Sequence, residues 1–339
     1  MAQSLAPASF LSASTGGVVL DVRSPKEFEN GHIPEAISFP LFTNEERAIV
    51  GTLYKQKGKT EALLKGLEIV GPKLKDFAEK ALKLSNGKPL YIHCWRGGMR
   101  SGSMAILLQT AGIDCVVLKG GYKAYRNHIL SEFKKPWNFK VIGGKTGSGK
   151  TQVLAELAKQ NEQVIDLEAL ANHKGSAFGR IGESPQPTTE QFGNNLYKML
   201  QNFDAQKTIW VEDESHTIGT VFIPSEFYYN YRKAPLYVLD IPFEERLNHL
   251  MTIYGNYNVQ EIKEAYERIG KKLGGQNVKL ALEMIDNDDL VSAASIALIY
   301  YDKAYLYGLE NKDTTNISYF PFKILNPLKI AKKLTEKTK

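Results

Sequence analysis

Tyr91-Ile92-His93-Cys94-Trp95-Arg96-Gly97-Gly98-Met99-Arg100-Ser101 reads as the end of a buried strand, a glycine-rich turn and the start of a helix. Such a turn lets consecutive backbone N–H groups converge on one spot, and the helix N-terminus reinforces the anion-binding field. The same field, with Arg96 and Arg100 nearby, favours a thiolate at Cys94. Arg100 also has the planar fork that grips an oxyanion with two hydrogen bonds. Cys94 is therefore the candidate nucleophile. Trp95, Arg96, Gly97, Gly98, Met99, Arg100 and Ser101 form the candidate anion cradle. Cys115 lies mid-strand in Asp114–Leu118 with no cation or glycine beside it, and reads as core.

Outward from this loop, strands and helices alternate. Val18-Val19-Leu20 is a short strand ending at Asp21, and Ser24-Pro25-Lys26-Glu27 has the residues of a capped helix start. Residues 60–84 carry helical spacing, interrupted at Gly71-Pro72. Pro89–His93 is a strand, Ser101–Ala111 a helix, and Asp114–Leu118 a strand stopped by Gly120-Gly121. This alternation predicts an α/β protein with parallel sheets covered on both faces. Phe133-Lys134-Lys135-Pro136-Trp137 marks a boundary, giving domains 1–134 and 135–339. The second domain alternates again: strand 139–142, helix from about 151, strand 163–167, helix 189–203, strand 207–212, helix 224–231 and strand 236–240. Its C-terminal part is mostly helical, with Ala331–Lys339 expected as a fraying basic helix or tail.

Gly144-Lys145-Thr146-Gly147-Ser148-Gly149-Lys150-Thr151 fits the P-loop pattern G-x-x-x-x-G-K-[ST] between a strand and a helix. Its amides surround phosphate oxygens, Lys150 supplies a point charge, and Thr151 is placed to ligate Mg²⁺. Glu212, Asp213 and Glu214 follow the strand 207–212 and are candidates for a metal-side or substrate carboxylate, with no choice among the three. The stretch 166–180 starts at a strand end, where α/β sheets place ligands. Its His173, Lys174, Ser176 and Arg180 are candidate phosphate or RNA contacts. Arg246, after the strand ending at Asp240, lies in a segment similar to one that opens a helix near the ligand in P-loop kinases, and otherwise reads as part of a solvated helix face.

The chain has 339 residues and a net charge of +6. Residues 1–136 hold 19 Lys and Arg against 12 Asp and Glu, and residues 137–339 hold 24 against 25. The first half carries the excess, much of it between Arg47 and Lys83, either a solvated helical face or a surface for a polyanion such as RNA. Two cysteines are too few for a disulfide framework, and no apolar run is long enough to span a bilayer. Without a secretory signal at Met1–Ser14, a cytoplasmic location with no membrane partner is expected.

Asp21-Val22-Arg23-Ser24-Pro25-Lys26-Glu27-Phe28 and Gly31-His32-Ile33-Pro34-Glu35-Ala36, together with the Cys94 loop, resemble the rhodanese family over about residues 8–130. In that family the loop cysteine carries a persulfide. Five residues separate Cys94 from Arg100. Ordinary thiosulfate sulfurtransferases leave four, and the dual-specificity phosphatases that share the fold leave five. The wider loop suits a selenophosphate or phosphate group better than thiosulfate.

The P-loop, the stretch 166–180, Val211-Glu212-Asp213-Glu214-Ser215 and Tyr300-Tyr301-Asp302 together resemble the tRNA 2-selenouridine synthases, which pair a rhodanese-like domain with a P-loop NTPase-like domain. Where that family often has Arg after the Glu-Ser pair, this chain has His216. The resemblance implies replacement of sulfur by selenium at a tRNA wobble uridine in the anticodon arm. It also implies selenophosphate as donor, with Cys94 as nucleophile or selenium carrier, a selenophosphate-supplying partner enzyme, and a geranylated 2-thiouridine made from geranyl diphosphate. Trp95 is a candidate stacking partner for the wobble base. A persulfide-using tRNA sulfurtransferase and a rhodanese-fold phosphatase are the alternative enzymes. A nucleotide-regulated binding module is the non-catalytic one.

Overall fold

The computed structural model describes residues 2–255, 257–310 and 316–338. The chain separates into two compact units, Met1–Phe133 with Gly193–Lys198, and Lys134–Phe192 with Met199–Lys339. The segment 193–198, expected with the second domain, therefore groups with the first.

The first unit is built on five strands: β1 (Gln3–Leu5), β2 (Val18–Asp21), β3 (Ile37–Ser38), β4 (Leu90–His93) and β5 (Cys115–Leu118). They lie in the order β1-β5-β4-β2-β3 with every pair parallel. The register sets Asp21 beside His93, so the ends of the two central strands meet at the cysteine loop. Leu20, Leu90, Ile92, Leu108 and Cys115 fill one core. Cys115 is in this core, as its strand context predicts.

The Asp21-Val22-Arg23 motif is structural. Asp21 and Arg23 are both buried, and their side chains pair with Nη2–Oδ2 2.6 Å. Arg23 Nη2 also donates to the Gly31 carbonyl at 2.6 Å, and its guanidinium lies 3.8 Å from the Tyr122 ring centroid. The pair thus ties the strand end to the 31–36 turn and satisfies both charges away from water. The helix Pro25–Asn30 starts as expected, with the Ser24 N–H donating to Glu27 Oε2 at 3.0 Å.

The second unit holds β6 (Phe139–Gly144), β7 (Gln163–Ile165), β8 (Ile209–Glu212), a short antiparallel hairpin of β9 (Thr217–Ile218) and β10 (Val221–Phe222), β11 (Leu236–Asp240) and β12 (Ile317–Pro321). Its main sheet runs β12-β11-β6-β8-β7, all parallel. The strand that feeds the P-loop is central, and its neighbour β8 ends at Glu212.

Several segments differ from expectation, and three have a visible cause or consequence. β7 stops at Ile165 because Asp166 caps a new helix, Leu167–Ala171, accepting from the Ala169 N–H at 2.7 Å. The helix expected over 189–203 ends at Leu200. The C-terminal helix, Pro327–Lys337, does not fray: Ile330, Ala331 and Leu334 are fully buried against Val153, Leu154 and Leu157.

Arg23→Met strands the buried Asp21 carboxylate, and should cost the first unit about 3–5 kcal/mol. Urea unfolding monitored against an exposed-lysine control, Lys80→Met, checks it; equal midpoints would assign the pair no structural weight.

Candidate functional site

In the first unit, Cys94 follows β4 and is 3% exposed. Its Sγ lies 3.2 Å from Ser101 Oγ, on the first turn of the helix Met99–Thr110. The loop is held from behind. The Tyr122 N–H donates to the Cys94 carbonyl at 2.8 Å, and the Lys123 N–H to the Trp95 carbonyl at 3.0 Å. The contact depends on glycine from both sides. A Cβ on Gly121 (φ 61°) would meet the Cys94 carbonyl at 2.3 Å, and one on Gly97 (φ 63°) the Leu118 carbonyl at 2.6 Å.

Arg100 is already engaged. It makes a two-pronged pair with Glu27, Nη1–Oε2 2.6 Å and Nη2–Oε1 3.2 Å. Burial works against an ionised Glu27. The Arg100 guanidinium, with the Ser24 N–H and Arg47, outweighs it and holds the carboxyl below its ordinary range. An anion entering the cradle has to draw Arg100 away from this partner. Trp95, Arg96, Gly98 and Met99 are exposed, so the outer rim of the loop faces solvent.

His93, one residue before the cysteine, is fully buried, stacks on Tyr122 at 6.0 Å and sits 3.7 Å from Asp21. Neither ring nitrogen has a hydrogen-bond partner among the described residues. Burial, only partly opposed by Asp21, pushes its pKa down to about 4.

In the second unit, the P-loop closes over Lys150 at the start of the helix Lys150–Lys159, with Lys150 Nζ 3.5 Å from the Gly144 carbonyl. Gly147 has φ 80°, and a Cβ there would meet the Arg246 carbonyl at 2.8 Å. Burial would lower the Lys150 pKa. Glu214, Glu168, Glu212 and Asp213 more than offset it, and the ammonium stays charged. Ser148 Oγ is buried without a partner among the described residues.

Three of the surrounding carboxylates converge. Glu168, Glu212 and Glu214 each offer an oxygen within 4.8 Å of the others. The Glu168 N–H donates to Glu212 Oε1 at 2.8 Å, and the Thr151 hydroxyl lies 3.4 Å from Glu168 Oε2. Glu212 is wholly buried, and its Oε2 has no hydrogen-bond partner among the described residues. Burial raises all three pKa values, Glu214 to about 8, reinforced by Asp166 at Glu168 and by Glu168 at Glu212 and Glu214. An all-oxygen set with an orphaned buried carboxylate oxygen fits a hard divalent cation such as Mg²⁺. Asp213 is turned away from the cluster: Arg232 Nη1 holds its Oδ1 at 2.8 Å. Of the three acids expected here, Glu212 and Glu214 face the P-loop lysine with Glu168.

The P-loop lines a cavity of about 650 Å³, within the range of small-molecule sites. Glu168, Glu214, His173, Lys174 and Ser176 supply polar lining. Met251 on the helix Phe243–Tyr254 and Ala293, Ala297 and Leu298 on the helix Leu290–Glu310 give the same cavity an apolar wall. Lys174 is committed to Glu183 at 2.6 Å, and Arg180 does not line the cavity, lying exposed 3.8 Å from Glu264. Arg246 is buried and serves the P-loop indirectly. It donates to the Thr146 carbonyl at 3.0 Å and pairs with Asp302 at 2.8 and 2.6 Å.

Residues 137–320 match the family model of the tRNA 2-selenouridine synthase AAA domain, and residues 7–128 match the rhodanese-like domain. The chain belongs to the tRNA 2-selenouridine synthase family. It is 36% identical to the tRNA 2-selenouridine synthase of Sulfurovum sp. (strain NBC37-1), over 86% of this chain and 88% of that one. It is 34% identical to the enzyme of Shewanella frigidimarina, over 87% and 89%, and 34% identical to that of Hydrogenovibrio crunogenus, over 87% and 90%.

For this family member, sequence reasoning missed Glu168 and the apolar wall. Glu168 follows the end of β7, and the rule that α/β sheets bind ligands at strand ends was the available signal. The wall had no such signal, because alanines on a helix read equally well as packing. Among the described residues no helix is long and apolar enough to cross a membrane.

His93 sets a pH dependence. Its folded pKa is below the ordinary 6.5, so the unfolded chain takes up the proton first. The first unit should lose stability as pH falls through the window from 6.5 to about 4, by about 3 kcal/mol at the lower end. His93→Leu should flatten that slope in urea titrations at pH 7 and 5.

Proposed function

We propose that this chain is a tRNA 2-selenouridine synthase that geranylates 2-thiouridine at the wobble position and then replaces the geranylated sulfur by selenium. The observation that carries the reading is the mixed lining of one cavity: a phosphate cradle and an apolar slot share it. A nucleotide does not call for that slot; a short prenyl diphosphate does. The diphosphate of geranyl diphosphate sits against the P-loop amides and Lys150, and the hydrocarbon lies along Ala293, Ala297 and Leu298. The 2-thio sulfur attacks the geranyl C1 carbon and diphosphate leaves. Lys150 stabilises the charge that builds on the leaving oxygens. Glu168, Glu212, Glu214 and Thr151 are the residues that would hold Mg²⁺, which would share that charge.

Selenophosphate is the selenium donor. Its phosphate group enters the Cys94 loop, competing with Glu27 for Arg100. Cys94 acts as nucleophile: its thiolate attacks phosphorus, the P–Se bond breaks and hydroselenide leaves. Hydroselenide then displaces the geranylthiolate at C2 of the base, and water cleaves the phosphocysteine to release phosphate. The substrate is the anticodon arm of tRNA, whose wobble base is unpaired and free to leave the stack. The cytoplasm is the compartment that suits a free cysteine and a tRNA substrate.

The two chemistries should separate by mutation. Lys150→Ala and Ala297→Trp should each reduce geranyl transfer at least tenfold, the first at the phosphate end and the second by filling the slot. Cys94→Ser should still make geranylated 2-thiouridine and fail to make 2-selenouridine. Mass spectrometry of nucleosides from tRNA incubated with each variant reads both steps, and unchanged 2-selenouridine in Cys94→Ser would remove Cys94 from the mechanism. Chelation of divalent cations should slow geranyl transfer, and Glu212→Gln should weaken Mg²⁺ binding measured by calorimetry.

A further inference from the structure

His216 and the helix Ser225–Tyr231 gather aromatic rings beside the P-loop cavity. The His216 ring lies 4.7 Å from Tyr228 at 34°, 6.1 Å from Tyr229 at 39° and 6.2 Å from Phe222 at 79°. Phe222 is 54% exposed and Tyr229 61% exposed, which is costly for rings of this size unless they meet a partner. The hairpin β9–β10 fixes Phe222, and the Ile223 N–H donates to the His216 carbonyl at 2.9 Å. The cluster is continuous with the cavity: Ser215, the residue before His216, and Tyr228 both line it. Arg232 lies 5.6 Å from the Tyr228 ring centroid and lines the same cavity.

We infer that Phe222, Tyr229 and His216 form a stacking platform for an unpaired nucleobase of the RNA substrate, beside residues that line the cavity. Flat, exposed π-faces beside a guanidinium are the chemistry that captures splayed bases of single-stranded RNA. An aliphatic protein partner would find few methyl groups here, because the exposed part of the patch is aromatic. The inference rests on the proposed tRNA reading and deepens it by naming where the base lands. It also gives His216 a role as a ring rather than as a cation.

The test uses the full chain and an anticodon stem-loop RNA carrying 4-thiouridine at the wobble position. Phe222→Ala and Tyr229→Ala should each weaken binding, read by fluorescence anisotropy, by about tenfold. Tyr229→Phe should bind as the parent does, because it keeps the ring. Both rings are exposed, so melting temperatures should not move. Ultraviolet cross-linking of the parent chain should place the thiouridine on peptides within 216–232. A parent chain that binds no stem-loop overturns the tRNA reading and the platform together. A parent that binds normally, with alanine variants that bind equally well or cross-links elsewhere, overturns the platform alone. Alanine variants that lose a protein partner while keeping RNA affinity overturn it as well.

Discussion

Three glutamates converge beside one lysine at the end of the central strand of the second unit. The arrangement is unstable by itself. Lys150 balances one negative charge, and Glu212 is sealed from water with an oxygen that has no partner among the described residues. Burying that much like charge raises the glutamates toward protonation. Relief comes from protons or from a cation, and either makes the P-loop a place whose charge changes with what it holds. The surrounding scaffold resists collapse. Arg246 ties the loop carbonyl of Thr146 to Asp302, so the phosphate end and the long helix Leu290–Glu310 are braced together.

The first unit solves its charge problem in the opposite way. Asp21 and Arg23 neutralise one another in the interior, and Glu27 occupies Arg100. The cysteine loop thus rests with its strongest cation covered. An incoming oxyanion gains Arg100 only as Glu27 gives it up, which favours a dianion of full charge over a weak one. This gives a physical basis for selectivity beyond the width of a five-residue loop.

Much of this was legible in the residues. The strand-turn-helix reading at Cys94 and at Gly144–Thr151 survives, because a glycine turn at positive φ ahead of a helix is a local property. What could not be read depends on partners distant in sequence. β1 and β12 are short edge strands that exist because β5 and β11 present free edges to them. The burial of the last helix required knowing that Val153, Leu154 and Leu157 needed a cover. The partner of Arg100 could not be read for the same reason, since Glu27 lies 73 residues away. Asp213 looked equivalent to its two neighbours until Arg232 took it out of the cluster.

Gly97 and Gly121 occupy one another's side-chain space through the backbone of the cysteine loop. Neither position tolerates even a methyl group, and each is defined by the segment that carries the other. The reactive loop and the turn after β5 are therefore a single inherited part. A graft that moved the cysteine loop into another scaffold would have to bring the Gly120-Gly121 turn with it, or the sulfur would be presented at the wrong depth.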